Sequence, residues 1–308
     1  DQRASCWGLD WQGQLGSGGT AAQRCGAAAR DPNSVPCSVE PALVALGFPT
    51  ARVTTGSRHS CALTGEGVAW CWGHDRAGQL GDEATRESID VPVAVSGDHR
   101  FADITGGTSH SCAIDDDQQA WCWGTDLEGR LGLGTVRSTE VPAPVVGERG
   151  SPDPSRHPRL YWSDLEAGTA HTCGIATDGL AFCWGLGGHG RLGSELSVNS
   201  YPFPVRVRLP GRAVSISAGD SHSCAVLEGG AAYCWGRNQH GQLGTGTTAN
   251  ALTPVPVASG VSFVQITAGG RHTCAVAADG RLFCWGAGGE GQLGTGDTDD
   301  QLTPRPVP

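Results

Sequence analysis

Five histidines stand two residues ahead of a cysteine: His59, His110, His171, His222 and His272 precede Cys61, Cys112, Cys173, Cys224 and Cys274. On a strand, residues i and i+2 share a face, so an imidazole would lie beside each thiol, as a base lies beside a sulfur nucleophile. Ten residues after each of these cysteines comes another (Cys71, Cys122, Cys183, Cys234 and Cys284), followed each time by Trp-Gly. Cysteines so spaced offer a second chemistry, the disulfide. The C-x2-4-C spacing of tetrahedral zinc sites is absent.

Repetition argues against catalysis, which needs one prepared site, whereas His-x-Cys recurs in the same form five times. The expectation is structural: each histidine hydrogen-bonds the backbone of a neighbouring unit. Each repeated tryptophan (Trp72, Trp123, Trp184, Trp235, Trp285) is expected to pack between units instead of forming an exposed sugar platform. Trp11 and Trp162 fall outside the pattern and are the candidate contact residues, although Trp162 also suits the start of an inner strand. Acidic stretches at 115–117 and 297–300 lack the spaced oxygen ligands of a calcium loop. GxSxG, HExxH and phosphate-loop motifs do not occur. The expectation is no catalytic residue, no cofactor and no metal.

The elements that position these residues come from the repeat. The second cysteines of successive units are 51, 61, 51 and 50 residues apart. A short run such as FADITGG or FVQITAGG precedes each His-x-Cys. A Pro/Val segment (VPVAV, VPAPVV, YPFPVRV, TPVPV, TPRPV) follows each GQLG or GRLG. Each unit thus holds four strand candidates between Gly-rich turns, with β-branched and aromatic runs and no 3.6-residue period. About 50 residues and four strands per unit suit a propeller blade. The Pro-bearing segment belongs at the outer edge, because proline cannot donate to a central ladder.

The pattern HSCAL…CWG…GQLG resembles the repeat of the regulator of chromosome condensation family, and covers nearly the whole chain, five times in full and once in half. The expected fold is all-β: a β-propeller of four-stranded antiparallel blades, five full blades plus a half blade, in one domain over 1–308. Nuclear members of that family act on chromatin and a small GTPase. That activity is not carried over, because no position here matches the exchange-loop residues.

Hairpin geometry predicts how the cysteines pair. If Ala278, Asp279 and Gly280 form a three-residue loop, Ala277 faces Arg281 and Cys274 falls opposite Cys284. Such a loop wants a left-handed residue third, and Gly67, Gly179 and Gly230 hold the same offset. Gln118 stands there in the remaining unit. A two-residue turn would instead set Cys274 against Trp285 and forbid the bond. The predicted disulfides are Cys61–Cys71, Cys112–Cys122, Cys173–Cys183, Cys224–Cys234 and Cys274–Cys284. They imply an oxidising compartment, extracellular or at the cell surface.

Two insertions interrupt the repeat, at 17–39 and 147–160, and both read as surface loops, the first closed by Cys25–Cys37. The fragment SCWGLDWQGQLG at residues 5–16 is the outer half of a unit, with a second outer strand expected near 40–46 and no inner pair. Cys6 is therefore expected free, bonded to another chain, or paired with a loop cysteine. Either the missing strands belong to the same gene product, which is the plainer reading, or a neighbouring chain completes the sheet.

Composition narrows the partners. The 308 residues carry 21 basic and 31 acidic side chains, a net charge of −10, and every basic residue is Arg. No basic run offers a nucleic-acid surface, and no apolar run is long enough for a membrane span. The functional expectation is a non-enzymatic extracellular scaffold that binds proteins through its variable loops (DEATRESID, LGTVRSTE, SELSVNSY, TGTTANAL, TGDTDDQL). The alternative is a subunit of a filament or surface assembly.

Overall fold

The computed structural model describes residues 3–19, 23–25, 35–147, 160–195 and 199–308. Most of the second insertion (148–159), much of the first (20–22 and 26–34) and part of SELSVNSY (196–198) lie outside the described residues. The chain falls into two compact units, Asp1–Asp126 with Arg137–Pro144, and Leu127–Val136 with Val145–Pro308.

The first unit holds three antiparallel sheets. One contains β1 (Ser5–Leu9), β2 (Gln23–Cys25) and β3 (Val35–Leu43) in the order β1-β3-β2. The second runs β4 (Thr50–Thr55), β5 (His59–Thr64), β6 (Ala69–Asp75) and β7 (Arg86–Ala94) as a meander. The third repeats it with β8 (Phe101–Gly106), β9 (His110–Asp115), β10 (Ala120–Gly124) and β11 (Thr139–Pro144). The second unit holds three further meanders: β12 (Trp162–Ala167) to β15 (Ser200–Arg206), β16 (Ala213–Ala218) to β19 (Ala251–Pro256), and β20 (Phe263–Ala268) to β23 (Gln301–Pro306).

Each meander follows from its sequence. Alternating small and branched residues suit a pleated strand that packs on both faces. Accordingly the His-bearing strands, such as HSCALT and HTCGIA, are buried along their length, apart from that of the last sheet. The hairpin between the second and third strands is the three-residue loop the spacing predicts. Ala277 N donates to Arg281 O at 2.8 Å and Gly280 N to Ala277 O at 2.9 Å. Gly280 has φ +85°, and Gln118 adopts the same left-handed conformation at φ +63°. Asp115 braces that non-glycine loop: its carboxylate accepts Gln119 N at 2.8 Å and Trp121 Nε1 at 2.7 Å.

This loop sets the register. Cys61 falls opposite Cys71, Cys112 opposite Cys122, Cys173 opposite Cys183, Cys224 opposite Cys234, and Cys274 opposite Cys284. Every pair is disulfide-bonded across Cα separations of 4.0–4.1 Å.

The Pro-bearing strands β7, β11, β15, β19 and β23 are outer edges, but β3 is not, because β2 pairs alongside it. The described part of the first insertion is therefore a short ribbon, not all loop, and Cys25–Cys37 ties it across 5.8 Å between Cα atoms. Among the described residues no helix is long and apolar enough to cross a membrane.

Candidate functional site

The His-x-Cys strands build a hydrogen-bond relay from sheet to sheet. In the first unit, Ser111 Oγ donates to the carbonyl of Gln79 at 2.9 Å. Its single proton is thereby used, so at 2.9 Å from His59 Nε2 it accepts, which fixes His59 as the Nε2–H tautomer. Trp123 Nε1 donates to the same Gln79 carbonyl at 3.0 Å. Gln79 is the Gln of GQLG, and Gln14, Arg191 and Gln242 at the same place also present one carbonyl to two donors of the next sheet. The Arg130 carbonyl instead accepts Thr172 Oγ1, and among the described residues the Trp184 indole nitrogen is left without a hydrogen-bond partner. Gln14 does the same for Ser60 (3.0 Å) and Trp72 (2.9 Å).

The second unit repeats this. His171 Nε2 lies 2.8 Å from Ser223 Oγ, and Arg191 O accepts Ser223 Oγ and Trp235 Nε1. His222 Nε2 lies 2.8 Å from Thr273 Oγ1, and Gln242 O accepts Thr273 Oγ1 and Trp285 Nε1. Where Arg replaces Gln, the guanidinium also bonds a loop carbonyl: Arg130 to Thr169 O and Arg191 to Asp220 O. His59, His171 and His222 thus bond a neighbouring hydroxyl, and only through it the backbone that the sequence suggested. The hydroxyl of His-Ser/Thr-Cys is the residue the sequence reading missed.

His59 and His222, fully buried without a counter-charge, are held neutral. Burial, reinforced by the His74 charge, pushes His59 down to about 4. Burial, then the charges of His272 and Arg191, pushes His222 down to about 3. With every adjacent cysteine oxidised, no thiol remains beside them, so the pairs cannot act as nucleophile and base. Asp75 is perturbed in the opposite direction. Burial raises it to about 6, against the Leu80 amide bond to its carboxylate, with Arg86 Nε 3.7 Å away. Among the described residues no group of three His, Cys, Asp or Glu side chains is placed to hold a metal.

Of the two contact candidates, Trp162 is a correction. It is 1% exposed, begins β12, and packs on Trp184 and Phe182 at 5.3 and 5.8 Å between ring centroids. It stands nine residues before His171, as Phe101 and Phe263 stand before His110 and His272, so it belongs to the repeat after all. Trp11 is exposed, with the Arg58 guanidinium 4.8 Å from its ring centroid.

The sheet of β1 is where the repeat's own residues meet solvent. The tryptophans after the second cysteines of the other five sheets are 0% exposed, whereas Trp7 is 63% exposed. Leu9 and Val53 are exposed beside it, and Cys6 carries a free thiol. Burial, then the Asp10 charge, raises the Cys6 pKa. A cavity of about 390 Å³ runs along this edge, lined by Ser5, Cys6, Trp7, Val53, His59 and neighbours.

Repeated four-stranded meanders, tied by a turn carbonyl that collects donors from the next sheet, define a β-propeller repeat protein. More particularly, the chain belongs to the RCC1-like domain family, whose description matches residues 1–308. It is 35% identical over 251 residues to the ultraviolet-B receptor UVR8 of Arabidopsis thaliana, covering 80% of this chain and 52% of that protein. It is 29% identical over 260 residues to the human E3 ubiquitin-protein ligase HERC2, covering 82% of this chain and 5% of that protein. The chain thus spans at most about half the length of these relatives. A chain in the crystal structure of Kap60 bound to yeast RCC1 (Prp20) shares the fold with a TM-score of 0.81 at 21% identity, over 100% of this chain and 71% of that one.

Proposed function

We propose that residues 1–308 act as one non-enzymatic β-propeller scaffold that recognises proteins through its variable loops, in an oxidising extracellular or cell-surface compartment. The observation that carries this reading is the contrast between repeated and non-repeated residues. The repeated His, Ser/Thr, Cys and Trp side chains of the complete sheets are mostly buried and spent on one another. The exposed apolar side chains include residues that vary between units: Trp11, Leu127, Val136, Leu252 and Leu302. Such residues offer contact area that the fold does not use. The six disulfides support the oxidising compartment. The solved relative bound to Kap60 is a precedent for protein partners.

Capture of binding proteins from extracellular fluid, followed by crosslink mapping, tests the reading. Crosslinks should concentrate in 82–90, 133–140, 194–201, 245–252 and 295–302 and the two insertions, and replacing those loops with Gly-Ser should abolish capture. Undiminished capture would overturn it. A second reading is an assembly in which a neighbouring chain pairs with β1, which among the described residues pairs only with β3.

A further inference from the structure

We propose that Asp75 is a proton-operated latch on the turn at 82–86: ionised, it shares the Arg86 guanidinium with Asp82, and protonated, it donates to a carbonyl of the turn and releases Arg86 to Asp82 alone. The inference rests on loop recognition only for its consequence, that one recognition loop changes shape with pH.

The equivalent turn of a later sheet shows what this place in the fold receives. Asn238 stands two residues after Gly236 and four before Gln242, as Asp75 stands between Gly73 and Gln79. Asn238 Oδ1 accepts Leu243 N at 2.8 Å, and its Nδ2 donates to Thr247 O at 2.8 Å and Ala249 O at 3.0 Å. The amide thus draws its turn in on itself. Asp75 keeps the first half of this pattern, with Oδ1 accepting Leu80 N at 3.2 Å. The second half needs a donor, which a carboxylate lacks. Asp75 is 0% exposed, and among the described residues its Oδ2 has no hydrogen-bond partner.

Arg86 stands in for the missing donor. The ladder of β6 and β7 continues to the pair Asp75–Arg86, whereas that of β18 and β19 ends at Gly236 opposite Ala251. Arg86 Nε is thereby brought to 3.7 Å from Asp75 Oδ2, too far for a hydrogen bond, while its Nη2 bonds Asp82. One guanidinium serves two carboxylates, and Glu140 of β11 adds a third negative charge. Burial above all raises Asp75 to about 6; the Asp82 and Glu140 charges add to it, and the Leu80 amide and Arg86 oppose it. The neighbouring charges are otherwise engaged: Arg76 pairs with Glu87, and His74 Nδ1 lies 2.6 Å from Gln79 Nε2.

A proton taken from solvent onto Oδ2 supplies the donor that Asn238 has permanently. The turn it governs also touches the next sheet. Glu83 holds a left-handed φ of +66°, and its amide donates to Glu140 O at 3.3 Å. Glu83, Thr85, Ser138 and Glu140 line a cleft of about 600 Å³, so a shift of the turn reshapes that cleft.

Backbone amide NMR of the full chain from pH 7.5 to 4.5 tests the latch. Leu80 and residues 82–86 should shift together with one midpoint near 6, above the ordinary aspartate value of 3.8. Their hydrogen exchange, corrected for the intrinsic pH dependence, should change at the same midpoint. Asp75→Asn, which installs the amide already used at Asn238, should abolish the transition. Arg86→Gln should raise its midpoint by removing the cation, and His74→Gln should leave it in place. A turn that does not titrate in this range, or that titrates equally in Asp75→Asn, would overturn the proposal. So would a transition confined to Leu80, since Asp75 would then titrate without moving the turn, or one lost in His74→Gln, which would assign it to the imidazole. Capture of a partner does not enter this readout, so the latch and loop recognition fail separately.

Discussion

Replacing Ser111 with alanine tests the relay at the point where it carries most. The hydroxyl makes two bonds of 2.9 Å, accepting from His59 Nε2 and donating to the Gln79 carbonyl. Gln79 O keeps the Trp123 indole, so it is not orphaned. His59 is 1% exposed, and its Nε2–H loses the acceptor that satisfies it. A buried donor left unsatisfied costs about 1–3 kcal/mol, beyond the roughly 1 kcal/mol of an ordinary net hydrogen bond. Ser60 is the internal control. It donates to Gln14 O, which also keeps a Trp bond, but no imidazole among the described residues leans on it. Ser111→Ala should therefore destabilise by about 2–3 kcal/mol and Ser60→Ala by about 1. Urea unfolding with disulfides intact measures both. A His59→Ala/Ser111→Ala double-mutant cycle should recover a coupling of about 1–2 kcal/mol. Equal costs at the two serines, or no coupling, would show that His59 does not donate and that the tautomer assignment is wrong.

Other outcomes follow from the same geometry. Cys71→Ala should lower stability by about 2–3 kcal/mol, the effect of opening a short disulfide loop, and reductant should narrow its gap from the parent protein in a denaturant series. Acid should weaken the fold. His59 and His222 have folded-state values of about 4 and about 3, below their ordinary 6.5, so the unfolded chain binds more protons between. Their stabilisation is complete above pH 6.5 and is lost as pH falls through the folded values; it is on the order of 3 kcal/mol for His59. Asp75, raised to about 6, acts oppositely and favours the fold at low pH, so Asp75→Asn should steepen the acid loss. Denaturation midpoints from pH 7 to 4 check both signs. Asp115→Ala should cost about 1–3 kcal/mol by freeing Gln119 N and Trp121 Nε1, and adding Gln118→Gly should recover part by relieving the left-handed residue.

What could be read in the sequence was whatever short-range spacing controls. Nine residues between cysteines, with glycine third in the loop, fix a hairpin register whatever surrounds it, so Cys274 meets Cys284. Partners lying a whole repeat away were harder. Nothing near His59 announces that its acceptor is Ser111, yet the 52-residue offset recurs from His171 to Ser223 and is 51 from His222 to Thr273. Extending the period from cysteines to hydroxyls would have found it. Trp162 was misplaced for the converse reason: its nine-residue distance from His171 was a repeat signal hidden by an aromatic that varies in kind. The ribbon of β2 carried no such signal, because an insertion has no second copy against which to align it.

The function of a repeat protein is best sought where repetition fails, and this chain fails in two different ways. In the loops the sequence varies while the frame continues, which leaves the chemistry of recognition free to differ at each position. At β1 the sequence does not vary: Cys6, Trp7 and Gly8 are the same residues that elsewhere are bonded, buried and overlain. What differs is the company they keep. An exposed tryptophan in a loop can serve many surfaces, but Trp7 is set in a strand whose register admits few. Its neighbour Cys6 has its pKa raised by burial and then by the Asp10 charge, which lowers the thiolate fraction available for disulfide exchange.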